Sequence, residues 1–289
     1  MMKIASMAAL VAVPFGLATC VQRCIPTRLQ TGASIVRVSR AAFLAPAIAA
    51  VAVVPAVAAQ PAEEGLFAVA DVNRDTVPAG TPEAFEAAFG EKTRTADRRW
   101  HEARRDVGGQ NVLFVPLTLI PMPEGRVALI STGAGDCGVS SCSGVNAVHY
   151  LRREGARYAV GGEWLDVGAG SAFGNPARRW GWTGAIAGDP VVYTEGGGVW
   201  QGYACSYASL TRLTPAGPVE IATIPVHYSN EGAAGDEADV VAVSGRIVAA
   251  KKDRSFTVRY TGARTYSERY VRGADGTYRL AGRSRAPRC

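Results

Sequence analysis

Histidine is scarce in this 289-residue chain: only His101, His149 and His227 occur. That scarcity leaves few candidates for the base of a nucleophile triad or for a histidine-rich zinc site. No H-E-x-x-H spacing exists, and no serine stands in a G-x-S-x-G elbow. Charge is also thin, at 19% of residues. Acid is missing altogether from the first 59 positions, which carry Lys3, Arg23, Arg28, Arg37 and Arg40. Beyond position 59 the chain holds 26 basic against 25 acidic residues, so its basic isoelectric point belongs to the leader. A nearly neutral remainder has no global field to attract nucleic acid or an anionic membrane. Residues 251–289 carry eleven Lys or Arg against Asp253, Glu268 and Asp275. Basic strands lying beside acidic ones explain this imbalance; a polyanion-binding tail is the alternative.

The acid-free region contains two apolar stretches, Ile4 to Cys20 and Ala41 to Ala59. The second follows the pattern of a Sec-type signal peptide over residues 36–59. Arg37 and Arg40 precede an Ala/Val-rich run, Pro55 can break its helix, and Ala56-Val57-Ala58-Ala59 offers small residues to a signal peptidase. Cleavage is expected after Ala58 or Ala59. Leu17-Ala18-Thr19-Cys20 resembles a lipobox, with Thr19 where Gly, Ala or Ser is usual before the lipidated Cys20. Two export signals in series are redundant. Residues 1–35 are therefore expected to lie upstream of a true translation start near Val36 or Val38, or else to be an extra leader. A two-helix membrane hairpin is the competing reading, and membrane contact is expected only if these apolar segments are retained.

Export agrees with the cysteines. Past the leader the set is even: Cys137, Cys142, Cys205 and Cys289. Cys137 and Cys142 flank Gly138-Val139-Ser140-Ser141, a hairpin tip, which makes them the local pair and leaves Cys205 for Cys289. Such bonds persist in an oxidising compartment, here the periplasm or the medium. Neither their spacing nor that of the histidines suits a metal, and none is expected.

The remaining chain is rich in strand-and-turn grammar. Residues 60–110 form an N-terminal helical and loop segment. Thr81 is an N-cap candidate, Pro82 suits the first helical turn, and Phe85, Ala88 and Phe89 share one face of a short helix from Pro82 to about Gly90. Thr93 to Asp106 is dense in charge, a second short helix or a solvated loop. From residue 111 to 289, runs of Val, Ile, Leu, Thr and Tyr are cut by Gly and Pro. Three hairpins are expected, at Val148 to Val160, Leu210 to Ala222 and Arg269 to Leu280. Each follows a strand, at Val127 to Ser131, Val191 to Thr194 and Ile247 to Ala250. The fold class is all-β: an antiparallel meander of about three strand-plus-hairpin units curling into an open barrel or sandwich, with propeller-like modules as the alternative.

Two motifs fail on inspection. Gly133-Ala134-Gly135-Asp136-Cys137-Gly138 matches G-x-G-x-x-G, but a turn follows it where a dinucleotide site needs a helix, so no cofactor is expected. Asp71-Val72-Asn73-Arg74-Asp75 opens like a calcium loop, yet Thr76 replaces the glycine and Pro82 the bidentate acid. His227, beside Tyr228, Ser229, Asn230 and Glu231, is the densest polar cluster after a strand, but no catalytic residue is assigned. The stronger feature is aromatic: Trp180, Trp182, Trp200, Tyr203 and Tyr207 crowd together with Gln201 and Asn175 nearby. Such rings with amide partners suit sugar or peptide chains; they also build ordinary cores.

The segment Val127 to Val160, with Cys137-Gly138, Cys142 and Tyr150-Leu151-Arg152-Arg153-Glu154-Gly155, resembles exported proteobacterial β-rich proteins of unassigned function. So do Gly197 to Tyr203, Cys205 and Thr214-Pro215-Ala216-Gly217. The resemblance implies a periplasmic β-rich domain and no catalytic residue. The expected function is an exported binding or interaction module for an envelope glycan or protein, rather than an enzyme; an envelope hydrolase or enzyme inhibitor is the alternative.

Overall fold

Alternating apolar and polar residues, interrupted by glycine turns, produce antiparallel hairpins throughout. The computed structural model describes residues 65–72, 79–90 and 101–289. The leader and its cysteines, residues 73–78 of the calcium-like stretch and residues 91–100 lie outside the described residues.

Five consecutive strands pair in sequence order: β2 (Ala103–Val107), β3 (Gln110–Pro121), β4 (Arg126–Ala134), β5 (Val145–Glu154) and β6 (Arg157–Trp164). A second sheet has nine strands and curls into a half-barrel. Its order is β1 (Ala70–Asp71), β7 (Arg179–Thr183), β8 (Val191–Trp200), β9 (Tyr203–Thr214), β10 (Gly217–Ser229), β11 (Ala242–Lys251), β12 (Ser255–Gly262), β13 (Tyr266–Arg272) and β14 (Tyr278–Leu280). The fold is all-β, and the three hairpins are β5–β6, β9–β10 and β13–β14. The first falls in one sheet and the other two in the second. β1 and β2 precede residue 111, so the sheets also draw on the segment read as helical and loop; β2 takes the end of its charged stretch.

The one α-helix among the described residues, α1 (Thr81–Phe89), begins one residue earlier than expected. Gly80 takes the N-cap position in a left-handed conformation, and Thr81 is buried as the first helical residue. Ala84, Phe85 and Phe89 pack against Val112, Phe114, Leu129, Ala147 and Leu151 on one face of the five-stranded sheet. A bulge between Pro116 and Thr118 shifts the alternation of β3, so that Val112 and Phe114, and then Leu119, all face the helix. The opposite face carries Ile120, Ala128, Ile130, Val148 and Tyr150 against Val192 and Leu213 of the half-barrel.

The half-barrel encloses Tyr193, Leu210, Ile224, Phe256, Val258 and Tyr260. β10 and β11 pair only at His227–Ser229 and Ala242–Ser244 and then diverge. The N-terminal segment uses the opening. Leu66 N–H donates to Ile247 O at 2.7 Å, Phe67 lies 5.4 Å from the Tyr193 ring, and Ala70 and Asp71 pair with Trp180 and Arg179. Residues 65–72 thus tie β11 to β7 across the curl. Among the described residues no helix is long and apolar enough to cross a membrane.

His149 is fully buried on β5, with Nε2 3.1 Å from Glu163 Oε1 and its ring against Phe89 of α1. Its Nδ1 has no hydrogen-bond partner. Burial holds its pKa below the usual histidine value, with a smaller push from Arg105; the hydrogen bond and charge of Glu163 oppose this. The folded-state value therefore lies below the unfolded one. Above pH ~6.5 both states are neutral and the group contributes no pH dependence; as pH falls further, the unfolded chain binds the proton first and stability is lost. The urea midpoint of the wild type is expected to drop more between pH 7 and pH 5 than that of His149→Gln. Equal drops would refute the assignment.

Candidate functional site at the β8–β9 end

Trp200 and Tyr203 face each other across the β8–β9 hairpin. Gln201 (φ 50) and Gly202 (φ 86) close it in left-handed conformations, the arrangement whose twist matches a two-residue hairpin. A Cβ at Gly202 would collide with the backbone of Gly232, so glycine is required there. Alternation places Trp200, Tyr203, Cys205 and Tyr207 on one face, with Cys205 opposite Gly198 and Tyr207 opposite Gly196. The glycines leave room for the rings: the indole of Trp200 fills the space that a side chain at Gly198 would take. Trp200 and Tyr203 are 40% exposed and Tyr207 38%, while Val199 reaches 61%. Tyr228 stands 6.3 Å from Tyr203, centroid to centroid.

The other two tryptophans of the expected aromatic set sit elsewhere. Trp180 pairs with Thr194 and Trp182 with Val192, at the opposite end of β8. Eight residues of strand separate Val192 from Trp200, roughly 26 Å at the rise of an extended chain. Trp180 is half-buried against the core between the sheets. Trp182 is 40% exposed but remote from Trp200. Trp200, Gln201, Tyr203 and Tyr207 therefore form one surface without the two tryptophans of β7. Closeness in sequence misleads here because β7 and β8 run antiparallel.

The β6–β7 connection, residues 165–178, forms a wedge that reaches both sheets. Buried Asn146 accepts a hydrogen bond from Thr132 and donates to Val167 O and Ala169 O. Ala169 N–H donates to Thr194, and Ala172 N–H to Gly197 O. A fully satisfied buried network of this kind fixes one conformation. Beyond it lies an open cavity of about 440 Å³, lined on one side by Asn175 and Arg178 and on the other by Val199, Ala204, Ser206 and His227.

Phe173, at the tip of the wedge, is 48% exposed and is absent from the sequence-derived set. Its only sequence signal is the Phe173-Gly174 dipeptide, an uncommon first half for a tight turn. Ala172, its neighbour, approaches the same point on Gly198 as the Trp200 ring.

His227 is accompanied by Ser244 at 3.4 Å, and the described lining of the cavity contains no acid. The polar residues after it hold a turn: Asn230 accepts from Val241 N–H and donates to Asp239 O, and Ser229 accepts from Glu231 N–H. Gly133 to Gly138 runs from the end of β4 into the Cys137–Cys142 loop with no helix after it. Of the calcium-like stretch, Asp71 lies 3.6 Å from Arg179. Among the described residues no group of three or more His, Cys, Asp or Glu stands where it could hold a metal.

Both cysteine pairs form as spacing suggested. Cys137 and Cys142 have Cα atoms 6.4 Å apart, and Cys205 and Cys289 6.3 Å. Two such bonds point to a non-cytoplasmic or secreted protein. The chain matches no protein-family model, no curated protein and no solved structure.

Proposed function

We propose that this is an exported binding module of the periplasm or the medium, which recognises an envelope saccharide with the aromatic surface at the β8–β9 end. The observation that carries this reading is the set of three large rings, Trp200, Tyr203 and Tyr207, on one face of two adjacent strands, each more than a third exposed. Exposed rings cost solubility, and a group of them on a rigid element marks a contact surface. An aromatic face suits the apolar face of a sugar ring, and Gln201 and the tyrosine hydroxyls supply hydrogen bonds to its edges. The sheet, the wedge and the Cys205–Cys289 bond fix the rings before binding, which lowers the ordering cost of association.

Titration calorimetry with soluble envelope oligosaccharides is the direct test. Trp200→Ala is expected to weaken binding by about tenfold or more. Trp182→Ala, at the far end of β8, is expected to leave affinity unchanged. If a partner protein from the envelope binds instead, and Trp200→Ala abolishes that contact while no saccharide binds, the ligand class is wrong. Equal effects of the two substitutions would remove the site itself.

A further inference from the structure

Phe173 occupies a conformation that phenylalanine rarely adopts. Its φ is 60°, followed by 70° at Gly174, and Asn175 N–H closes the turn onto Ala172 O at 3.3 Å. A bulky side chain at positive φ is a genuine outlier, and Asn or Gly is the ordinary occupant of such a position. Strain of this kind is unfavourable and persists only where the surroundings impose it. Here they do. Gly174 N–H donates to Cys142 O at 3.0 Å, Gly135 N–H to Gly174 O at 2.8 Å, and Ala172 N–H to Gly197 O at 2.9 Å. The turn is clamped between the Cys137–Cys142 loop and β8, yet the ring it carries is about half in water. Core packing does not account for a strained aromatic residue at an exposed tip.

The electrostatic surroundings of the rings are one-sided. Gly202 abuts Gly232 in the β10–β11 connection, which carries Glu231, Asp236, Glu237 and Asp239, all exposed, and no basic residue. Arg178 in the cavity and Arg288, next to Cys289, offset this only in part. The aromatic residues themselves are uncharged, so the rim is net acidic and repels an anionic ligand.

We infer that Phe173 is a second aromatic wall of the site, opposite Trp200, and that the saccharide held there is neutral or amine-bearing and not acidic. This inference rests on the saccharide reading above and names its ligand class and a further binding residue. The ring is kept at an energetic cost because it contacts ligand, and the disulfide-closed loop holds it in place.

The test uses the oxidised protein with Phe173→Gly, Phe173→Asn and Trp200→Ala. Urea midpoints are measured without ligand. Binding is measured with a β-1,4-linked N-acetylglucosamine tetramer and with a uronic-acid oligomer of equal length. Both Phe173 variants are expected to unfold at an equal or higher urea concentration than the wild type, because the strain is relieved. Each is also expected to bind the neutral tetramer about tenfold more weakly. The uronate is expected not to bind. A lower midpoint in both variants would make the ring a structural element and overturn the inference. Unchanged affinity in the Phe173 variants, with Trp200→Ala impaired, would overturn the role of Phe173 and leave the aromatic site standing. Preference for the uronate would overturn the ligand class, and failure of both oligomers to bind would overturn the saccharide reading with it.

Discussion

Gly196→Ala is expected to abolish cooperative folding, or to lower stability by more than about 3 kcal/mol, because the methyl group has nowhere to go. A Cβ at Gly196 would overlap the carbonyl of Gly170, and one at Gly170 would overlap the carbonyl of Gly144. The obstacles are backbone atoms, which cannot rotate aside as a side chain can. They are also pinned, since Gly144 N–H donates to Ser171 O and Asn175 O, and Ala169 N–H to Thr194. Relief would require the whole β6–β7 wedge to leave the gap between the sheets, taking the Asn146 network with it. Gly184→Ala is the control: nothing lies within 4 Å of the added carbon, and its effect is expected to stay within about 0.5 kcal/mol. Far-UV circular dichroism and urea titration read both. A Gly196→Ala protein with the wild-type midpoint would mean that the wedge does not pack as described.

Loss of the Cys205–Cys289 bond is expected to be the second large effect, and clearly larger than loss of Cys137–Cys142. The first links residues 84 apart in sequence, the second residues 5 apart. Chain-entropy reasoning assigns about 4.5 kcal/mol to the long closure and about 2 kcal/mol to the short one. Cys289→Ser and Cys142→Ser, compared by urea midpoint under non-reducing conditions, separate the two. The long bond also fixes the end of a tail without strands, held otherwise by Glu268, which accepts from Ser284 Oγ and Arg285 N–H, and by Arg285 stacked on Tyr266. Equal losses in the two variants would show that loop length does not set the contribution of either bond.

The features legible in the sequence are those written in local pattern. The hairpins β5–β6, β9–β10 and β13–β14 stand where period-two alternation meets glycine-containing turns, and α1 lies where Pro82, Phe85 and Phe89 placed it. Cysteine pairing followed from loop length. The illegible features depend on contacts between distant segments. Nothing local tells that β1 leaves its neighbours, waits through five strands and pairs with β7. The bulges at Pro116–Thr118 and Pro225–His227 change which residues face inward, and a one-residue shift of phase reverses a strand's faces. Three of the four rings of the proposed site, Trp200, Tyr203 and Tyr207, stand in the sequence as one run. Trp180 packs on the core between the sheets and Trp182 stands at the other end of β8, placements that sequence distance hides, while Phe173 has only the Phe173-Gly174 dipeptide to mark it.

The closure of the half-barrel by residues 65–72 sets an order of events in biosynthesis. Leu66 is made 181 positions before Ile247, the residue that accepts its hydrogen bond, and Ala70 more than a hundred before Trp180. The first described stretch of the chain therefore waits until β11 exists before its own partners are complete. Until β11 has been synthesised, Phe67 lacks part of its enclosure and the curl stays open along one side. Long-range pairing of this kind slows folding and leaves apolar surface exposed while the chain is incomplete. A growing chain of this protein accordingly offers a half-open trough to any holding chaperone from the completion of β10 until β11 emerges and residues 65–72 cover it.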